Sequence, residues 1–387
     1  MTRMRRLLSN TSTLPDVSNA KQRIASIQVC RGLAAMAVVL SHLLNVEEKY
    51  FHTNLTGIFQ FGVLGVDLFF VISGTVISSI TVGKFTAPNS AETFLRRRFY
   101  RILPIYWVYS ALFLAAYLYN PLWFNNSTGH HVNILKSFLL IPAQEGMLVR
   151  QGWTLSYEMY FYLVFFLLLL LASENLAPVL LSIWGVAIIA VSLLLPAPRS
   201  PILTVFTSPM IFEFLAGCLI FHVYRRAVLH PRVGIILVSC AIFWLGFIVY
   251  WTNYAHAASQ LWIEVSRWGR PALYGSFSAL FLLGIMELER TKIIRFARLF
   301  ENIGDWSYSI YLSHLVVVEI IGRAISHYAA RVSFSIFCVD AIALPLVVLV
   351  GYLSYSSIEF PLMTLLSRRA GKPGIAMRSG DSVGSNP

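Results

Sequence analysis

The sequence predicts an all-α fold: a polytopic membrane helix bundle of about ten transmembrane helices, with the N- and C-termini cytoplasmic. Composition is the first reason. Of 387 residues, 57% are hydrophobic and 12% charged, roughly half the charged share of a soluble domain. The second reason is that the apolar residues form runs long enough to cross a hydrocarbon core of about 30 Å. The third is the placement of positive charge, since most of the 30 lysines and arginines collect on one side once these runs are taken as spans.

Residues 1–22 are polar, with Ser9, Asn10, Thr11, Ser12 and Thr13 clustered, and read as a flexible cytoplasmic tail. The next run is too long for the apolar region of a signal peptide and carries Arg31 inside it, so it reads as a retained first helix, 29–45. Further spans are expected at 58–82, 101–118, 156–172, 177–195, 208–224, 234–251, 271–287, 307–326 and 333–355. The fourth is the weakest, because its apolar run begins inside WTLSYEMYFY, and an even count requires it to cross. The membrane domain is then 23–366, followed by a second flexible tail, 367–387, too short to fold alone.

A net charge of +12 does not point to nucleic acid, because the positive residues sit in short blocks between apolar runs and build no continuous basic surface. Cys30, Cys218, Cys240 and Cys338 lie in or beside apolar segments with no close pair, which indicates neither a zinc site nor a disulfide framework. No metal is expected. His130 and His131, adjacent in an outer loop, read as solvated.

The residues that carry chemistry stand out against this background. Arg31 and His42 bracket RGLAAMAVVLSH; eleven residues make about three helical turns, so both share a face, about 16 Å apart along the axis. Either they face the bundle interior and serve a substrate or proton, or they anchor the helix at its two interfaces. Asp67, early in the second span, needs a partner, for which Arg31 and His42 are candidates. Gly62, Gly65, Ser73 and Gly74 in the same span read as small residues for close helix packing. Arg96, Arg97, Arg98 and Arg101 precede the third span, with Pro104 in its first turn. Such a cluster is ordinary positive-inside signal, but Arg98 and Arg101 share a helix face on which two guanidinium groups can grip phosphates. Glu158 stands among Trp153, Tyr157, Tyr160 and Tyr162, which read as an interfacial belt; the carboxylate is either solvated there or turned inward. Tyr308, Tyr311 and His314 form a stripe that reads as a packing seam, and Glu359 with Pro361 ends the last span.

Together these motifs resemble the acyltransferase family 3 membrane proteins: Arg31 and His42 at their spacing, GVDLFFVISG, Arg98-x-x-Arg101 before Leu103-Pro104, Trp153-Thr-Leu-x-x-Glu158, Ser307-Tyr-Ser-Ile-Tyr-Leu-Ser-His314 and Glu359-x-Pro361. The resemblance runs from about residue 23 to 366, with the motifs in the family's order and Thr154 where serine is commoner. The chain is similar to the single-domain bacterial exopolysaccharide O-acetyltransferases of that family. The resemblance implies a ten-helix protein of the inner membrane that moves an acyl group, usually acetyl, from cytoplasmic acyl-CoA to a carbohydrate or lipid-linked oligosaccharide acceptor, alongside polysaccharide-synthesis machinery. In the family's pattern Arg31, His42, Arg98 and Arg101 match its essential residues.

Acyl transfer from a thioester to a sugar hydroxyl needs a base, stabilisation of the oxyanion and an anchor for the donor's phosphates. His42 is the expected base, Arg31, Arg98 and Arg101 the expected phosphate ligands, and Glu158 or Asp67 the carboxylate expected to orient the imidazole. A transporter or flippase of a glycolipid or small anion is the alternative; it is weakened because no matching pair of Gly/Pro-broken half-helices occurs in the two halves.

Overall fold

The computed structural model describes residues 24–51, 60–124, 130–196, 199–254, 267–329 and 336–369. The expected tails lie outside these residues, except 367–369, which belong to the last helix. The helices are α1 (Ala25–Phe51), α2 (Leu64–Thr81), α3 (Ser90–Tyr119), the short α4 (Ile134–Phe138), α5 (Gly152–Leu171), α6 (Ala177–Leu194), the short α7 (Pro201–Phe206), α8 (Ile211–Arg226), α9 (Pro231–Tyr254), α10 (Ser276–Arg290), α11 (Arg298–Ala329), α12 (Ile336–Ser354) and α13 (Phe360–Arg369). Two π-helical turns interrupt the regular pattern, Pro271–Gly275 before α10 and Tyr355–Glu359 between α12 and α13.

Among the described residues nine helices are long and apolar enough to cross a membrane, with α7–α8 and α12–α13 each counted as one. The fourth expected span is one of them, since α5 starts at Gly152 and runs 20 residues. The expected span 307–326 is not. It lies within α11, a 32-residue helix whose Asp305, Ser307, Ser309, Ser313, His314, Glu319 and Arg323 lower its apolar content. Yet α11 is no surface helix: its Ile310, Val317, Val318 and Ile321 join Ala35, Val39 and Leu43 of α1 and Ala343 and Val347 of α12 in one buried cluster. Partners on both sides bury Ser307, Ser309, Ser313 and His314, while Glu319 and Arg323 stay partly exposed.

Small residues let the helices touch at backbone distance. A Cβ on Gly217 of α8 would stand 2.0 Å from the Val71 carbonyl of α2, and one on Gly304 of α11 only 1.9 Å from the Gln28 carbonyl of α1. Neither position admits a side chain. Beside the first crossing, Phe214 of α8 stacks on Phe70 of α2 at 4.7 Å and on Phe161 of α5 at 4.2 Å, forming the aromatic part of the core.

Two element boundaries differ from expectation. The third helix begins at Ser90, so Pro104 lies inside a 30-residue helix rather than in its first turn. The arginine-rich half is amphipathic: Ala91, Phe94, Arg98, Ile102 and Ile105 recur at steps of three and four and are buried. The last span does not end at Glu359-x-Pro361, because the π-helical turn carries the chain into α13, where Pro361 falls in the first turn and needs no N–H donor.

Candidate active site

A cavity of about 120 Å³ opens among α1, α2, α3, α5 and α11. Arg31, Arg98 and Arg101 line it together, with Glu158, Gln28, Ser73, Thr154, Ser307, Tyr308 and Tyr311 as the other polar lining and Phe69, Phe70 and Ile102 among the apolar. The α3 register explains the arginine pair: Arg98 and Arg101 sit on the buried face with Phe94 and Ile102, whereas Arg96 and Arg97 are exposed. The Arg98 guanidinium lies over the Tyr162 ring at 5.4 Å and near Phe94 at 5.9 Å, which fixes its plane. Arg31 donates to Gln28 Oε1 at 3.2 Å, one turn before it on α1. Three guanidinium groups around one small space repel one another, and an anion between them relieves that repulsion.

Glu158 faces this cavity. It accepts from Ser73 Oγ at 3.1 Å and from the Tyr162 hydroxyl one turn further along α5. Tyr162 and Tyr157, expected in an interfacial belt, are buried, while Trp153 is exposed. The reason is register, since positions 154, 155, 157, 161, 162 and 165 form the inward face of α5. The Glu158–Tyr162 spacing of four was the available signal.

Asp67 is the clear correction. Neither Arg31 nor His42 is its partner: Arg270, 203 positions later, donates Nε to Oδ1 at 3.0 Å and Nη2 to Oδ2 at 2.9 Å. The Asp67 carboxylate is fully buried and held by Arg270, while His42 Nδ1 faces the Val38 carbonyl instead. Nothing local in the sequence links Arg270 to Asp67, which lies 203 positions away.

His42 does not line the arginine cavity. Its Nδ1 lies 2.9 Å from the Val38 carbonyl, and its ring meets that of His314 with centroids 5.1 Å apart and planes at 65°. Tyr311 links the two regions. It lines the cavity, its hydroxyl is 2.8 Å from Thr154 Oγ1, and its ring centroid is 5.9 Å from that of His314. The Tyr308–Tyr311–His314 stripe, expected as a packing seam, therefore runs from the cavity wall to the His42 ring. Glu359 also points inward, buried and accepting from Ser309 Oγ at 2.6 Å. Among the described residues no group of three or more His, Cys, Asp or Glu is placed to hold a metal ion.

Fold and site thus define a polytopic helical membrane protein with an arginine-lined internal cavity next to a pair of imidazoles. Residues 24–356 match the sequence profile of the acyltransferase domain family Acyl_transf_3, and the chain belongs to that family; it is a membrane acyltransferase. Among individual relatives, it is 27% identical over 333 residues to the exopolysaccharide production protein ExoZ of Rhizobium meliloti, covering 84% of this chain and 96% of that one. It is 25% identical over 346 residues to the peptidoglycan O-acetyltransferase OatA of Listeria monocytogenes, covering 78% of this chain and 50% of the other. Against the O-acetyltransferase OatA of Staphylococcus aureus it is 23% identical over 364 residues, covering 86% and 56%. The chain thus spans about half the length of the OatA proteins and nearly all of ExoZ. No solved structure matches it.

Proposed function

We propose that this acyltransferase moves an acetyl or other short acyl group from cytoplasmic acyl-CoA to a hydroxyl of a cell-surface or exopolysaccharide sugar, or of its lipid-linked precursor, in the inner membrane. One observation carries the donor assignment: Arg31, Arg98 and Arg101 line a single cavity, and three planar guanidinium groups suit the phosphates of coenzyme A. The printed names of the relatives, O-acetyltransferase and exopolysaccharide production protein, support the acetyl group and the carbohydrate acceptor.

In this mechanism the phosphates rest on the arginines and the extended pantetheine arm reaches past Tyr311 toward His42. The acceptor hydroxyl approaches the His42 side. His42 Nε2 takes the hydroxyl proton as the oxygen attacks the thioester carbon, a C–O bond forms, and the C–S bond breaks to release the coenzyme A thiolate. Glu158 sits with the arginines and acts by holding them against mutual repulsion.

The test uses the purified protein with acetyl-CoA and the host's lipid-linked oligosaccharide, reading free coenzyme A and, on the same sample, donor binding. His42→Gln hydrogen-bonds like a neutral imidazole but takes no proton, so turnover should fall about 10²–10⁴-fold with donor binding retained. Near-parental turnover would overturn the base assignment. In cells, loss of O-acyl NMR signals from the polysaccharide of a deletion strain identifies the acceptor, and an unchanged polysaccharide refutes the carbohydrate reading.

A further inference from the structure

The buried imidazole of His314 has no task in the mechanism so far, and its hydrogen bonding is incomplete. Its Nδ1 lies 2.7 Å from the Tyr311 carbonyl and 3.2 Å from that of Ile310. Carbonyl oxygens only accept, so Nδ1 carries a proton, and in the neutral ring Nε2 is then a lone pair. That Nε2 is fully enclosed and has no hydrogen-bond partner. The same reasoning applies to His42, whose Nδ1 donates to Val38 and whose Nε2 is likewise a lone pair. The two imidazoles thus meet at a centroid distance of 5.1 Å, that of His314 with no partner at Nε2. Packing alone does not account for this, because an apolar side chain fills the same space without an unsatisfied acceptor.

We propose that His314 is a positioning residue for the base, accepting a hydrogen bond at Nε2 from the His42 imidazolium formed during acyl transfer. The inference rests on the proposed role of His42. When His42 Nε2 takes the acceptor's proton it becomes a donor, and a modest turn about χ2, a broad torsion in histidine, aims it at His314. One chain then satisfies every ring nitrogen: the Val38 carbonyl accepts from His42 Nδ1, His42 Nε2 donates to His314 Nε2, and His314 Nδ1 donates to the Tyr311 carbonyl. The neutral pair leaves a buried acceptor unmatched and the protonated pair does not, so the arrangement favours the charge that appears in the transition state. The proton returns from His42 to the thiolate or to solvent once the ester has formed, and His314 changes no bond of its own.

The test is a double-mutant cycle on the full-length protein in detergent, reading kcat and KM for coenzyme A release together with donor binding and yield. His314→Phe keeps the ring packing and removes the acceptor; kcat should fall about ten- to hundredfold, the worth of one hydrogen bond to a charge, with KM and donor binding unchanged. His314→Gln, whose amide oxygen accepts, should recover most of that loss. In the His42→Gln background His314→Phe should cost nothing further, because no imidazolium forms. Parental kcat in His314→Phe, equal losses in Phe and Gln, or a full additional loss on top of His42→Gln overturns the proposal. Should His314→Phe fail to assemble, His314→Gln and His314→Asn complete the cycle, and additive losses there overturn it equally. Failure of the underlying reading looks different: His42→Gln then turns over like the parent, and the inference falls with it.

Discussion

Arg270 grips Asp67 through two parallel hydrogen bonds, 3.0 and 2.9 Å long, and so ties the entry to α10 to the first turn of α2. Glu213 of α8 lies buried in the same region, within electrostatic reach of both. Arg270 is thus paired with Asp67 beside a second buried carboxyl group. Breaking such a pair from one side costs about 3–5 kcal/mol. Arg270→Ala should accordingly collapse yield and thermal stability in detergent, while Asp67→Asn, which leaves Arg270 facing Glu213, should be clearly milder. Equal melting temperatures for the two variants would refute this ordering.

Arg98 and Arg101 give the donor prediction. Lysine at either position keeps the charge but loses the planar fork, so affinity for acetyl-CoA should drop about tenfold while the protein still purifies as a monodisperse species. Isothermal titration with coenzyme A and with dephospho-coenzyme A tells whether the arginines read the 3′-phosphate. Unchanged binding in both lysine variants would leave the arginines with no role beyond orienting the protein in the membrane.

Topology is the third prediction. The arginine asymmetry assigns the α2–α3 connection to the cytoplasm and the α4–α5 connection to the outside. Asn89 and Glu145 are exposed on these two connections. In a protein with Cys240 replaced, a cysteine at Glu145 should react with an impermeant maleimide on intact cells and one at Asn89 should not; the reverse pattern inverts the orientation.

Most spans were legible because a span is a contiguous apolar run, a property of neighbours in sequence. What was lost was whatever depends on facing. Charges hid the first half of α3, although Phe94, Arg98 and Ile102 already have helical spacing. The polar residues of α11, which packs against α1 and α12, kept it from the apolar content of its companions. The motif arginines and Glu158 could be named as candidates because charge at membrane depth is conspicuous. Their grouping around one cavity, the Arg270 partner of Asp67 and the meeting of His42 with His314 are contacts between distant helices, on which local spacing is silent.

Outside the spans, Glu174 fastens the turn between α5 and α6. It accepts from Arg225 Nη1 at 2.8 Å and from the Gly83 amide at 2.7 Å, and these two donors hold its carboxyl below the usual carboxylate range. A carboxyl depressed in the folded protein contributes stability that is present above its unfolded value near 4.3 and is lost as pH falls through the folded one. As pH falls from the unfolded value through the folded one, then, Glu174→Gln and the parent should converge in melting temperature. Near pH 7 the parent should be ahead by no more than about 1 kcal/mol, because the pair is exposed. A gap that persists at low pH would show that the contact does not depend on charge.

Glu158 separates an electrostatic role from a role as base. Its carboxylate lies in the arginine cavity and already accepts from Ser73 and Tyr162. His42 bonds elsewhere, to the Val38 carbonyl. Replacement by glutamine keeps the shape and removes one negative charge from among three guanidinium groups, so the cavity becomes more attractive to phosphate. Glu158→Gln should hold acetyl-CoA at least as tightly as the parent, and turnover should fall by no more than about tenfold, well short of the 10²–10⁴-fold expected for loss of a general base. Salt sharpens the test: tighter donor binding that comes from charge weakens with ionic strength more steeply than in the parent. Tyr162→Phe removes a donor to Glu158 but no charge and should leave the salt dependence as it was. If Glu158→Gln instead abolished turnover with donor binding intact, Glu158 would be the base, and His42 with His314 would fall back to a packed pair of rings.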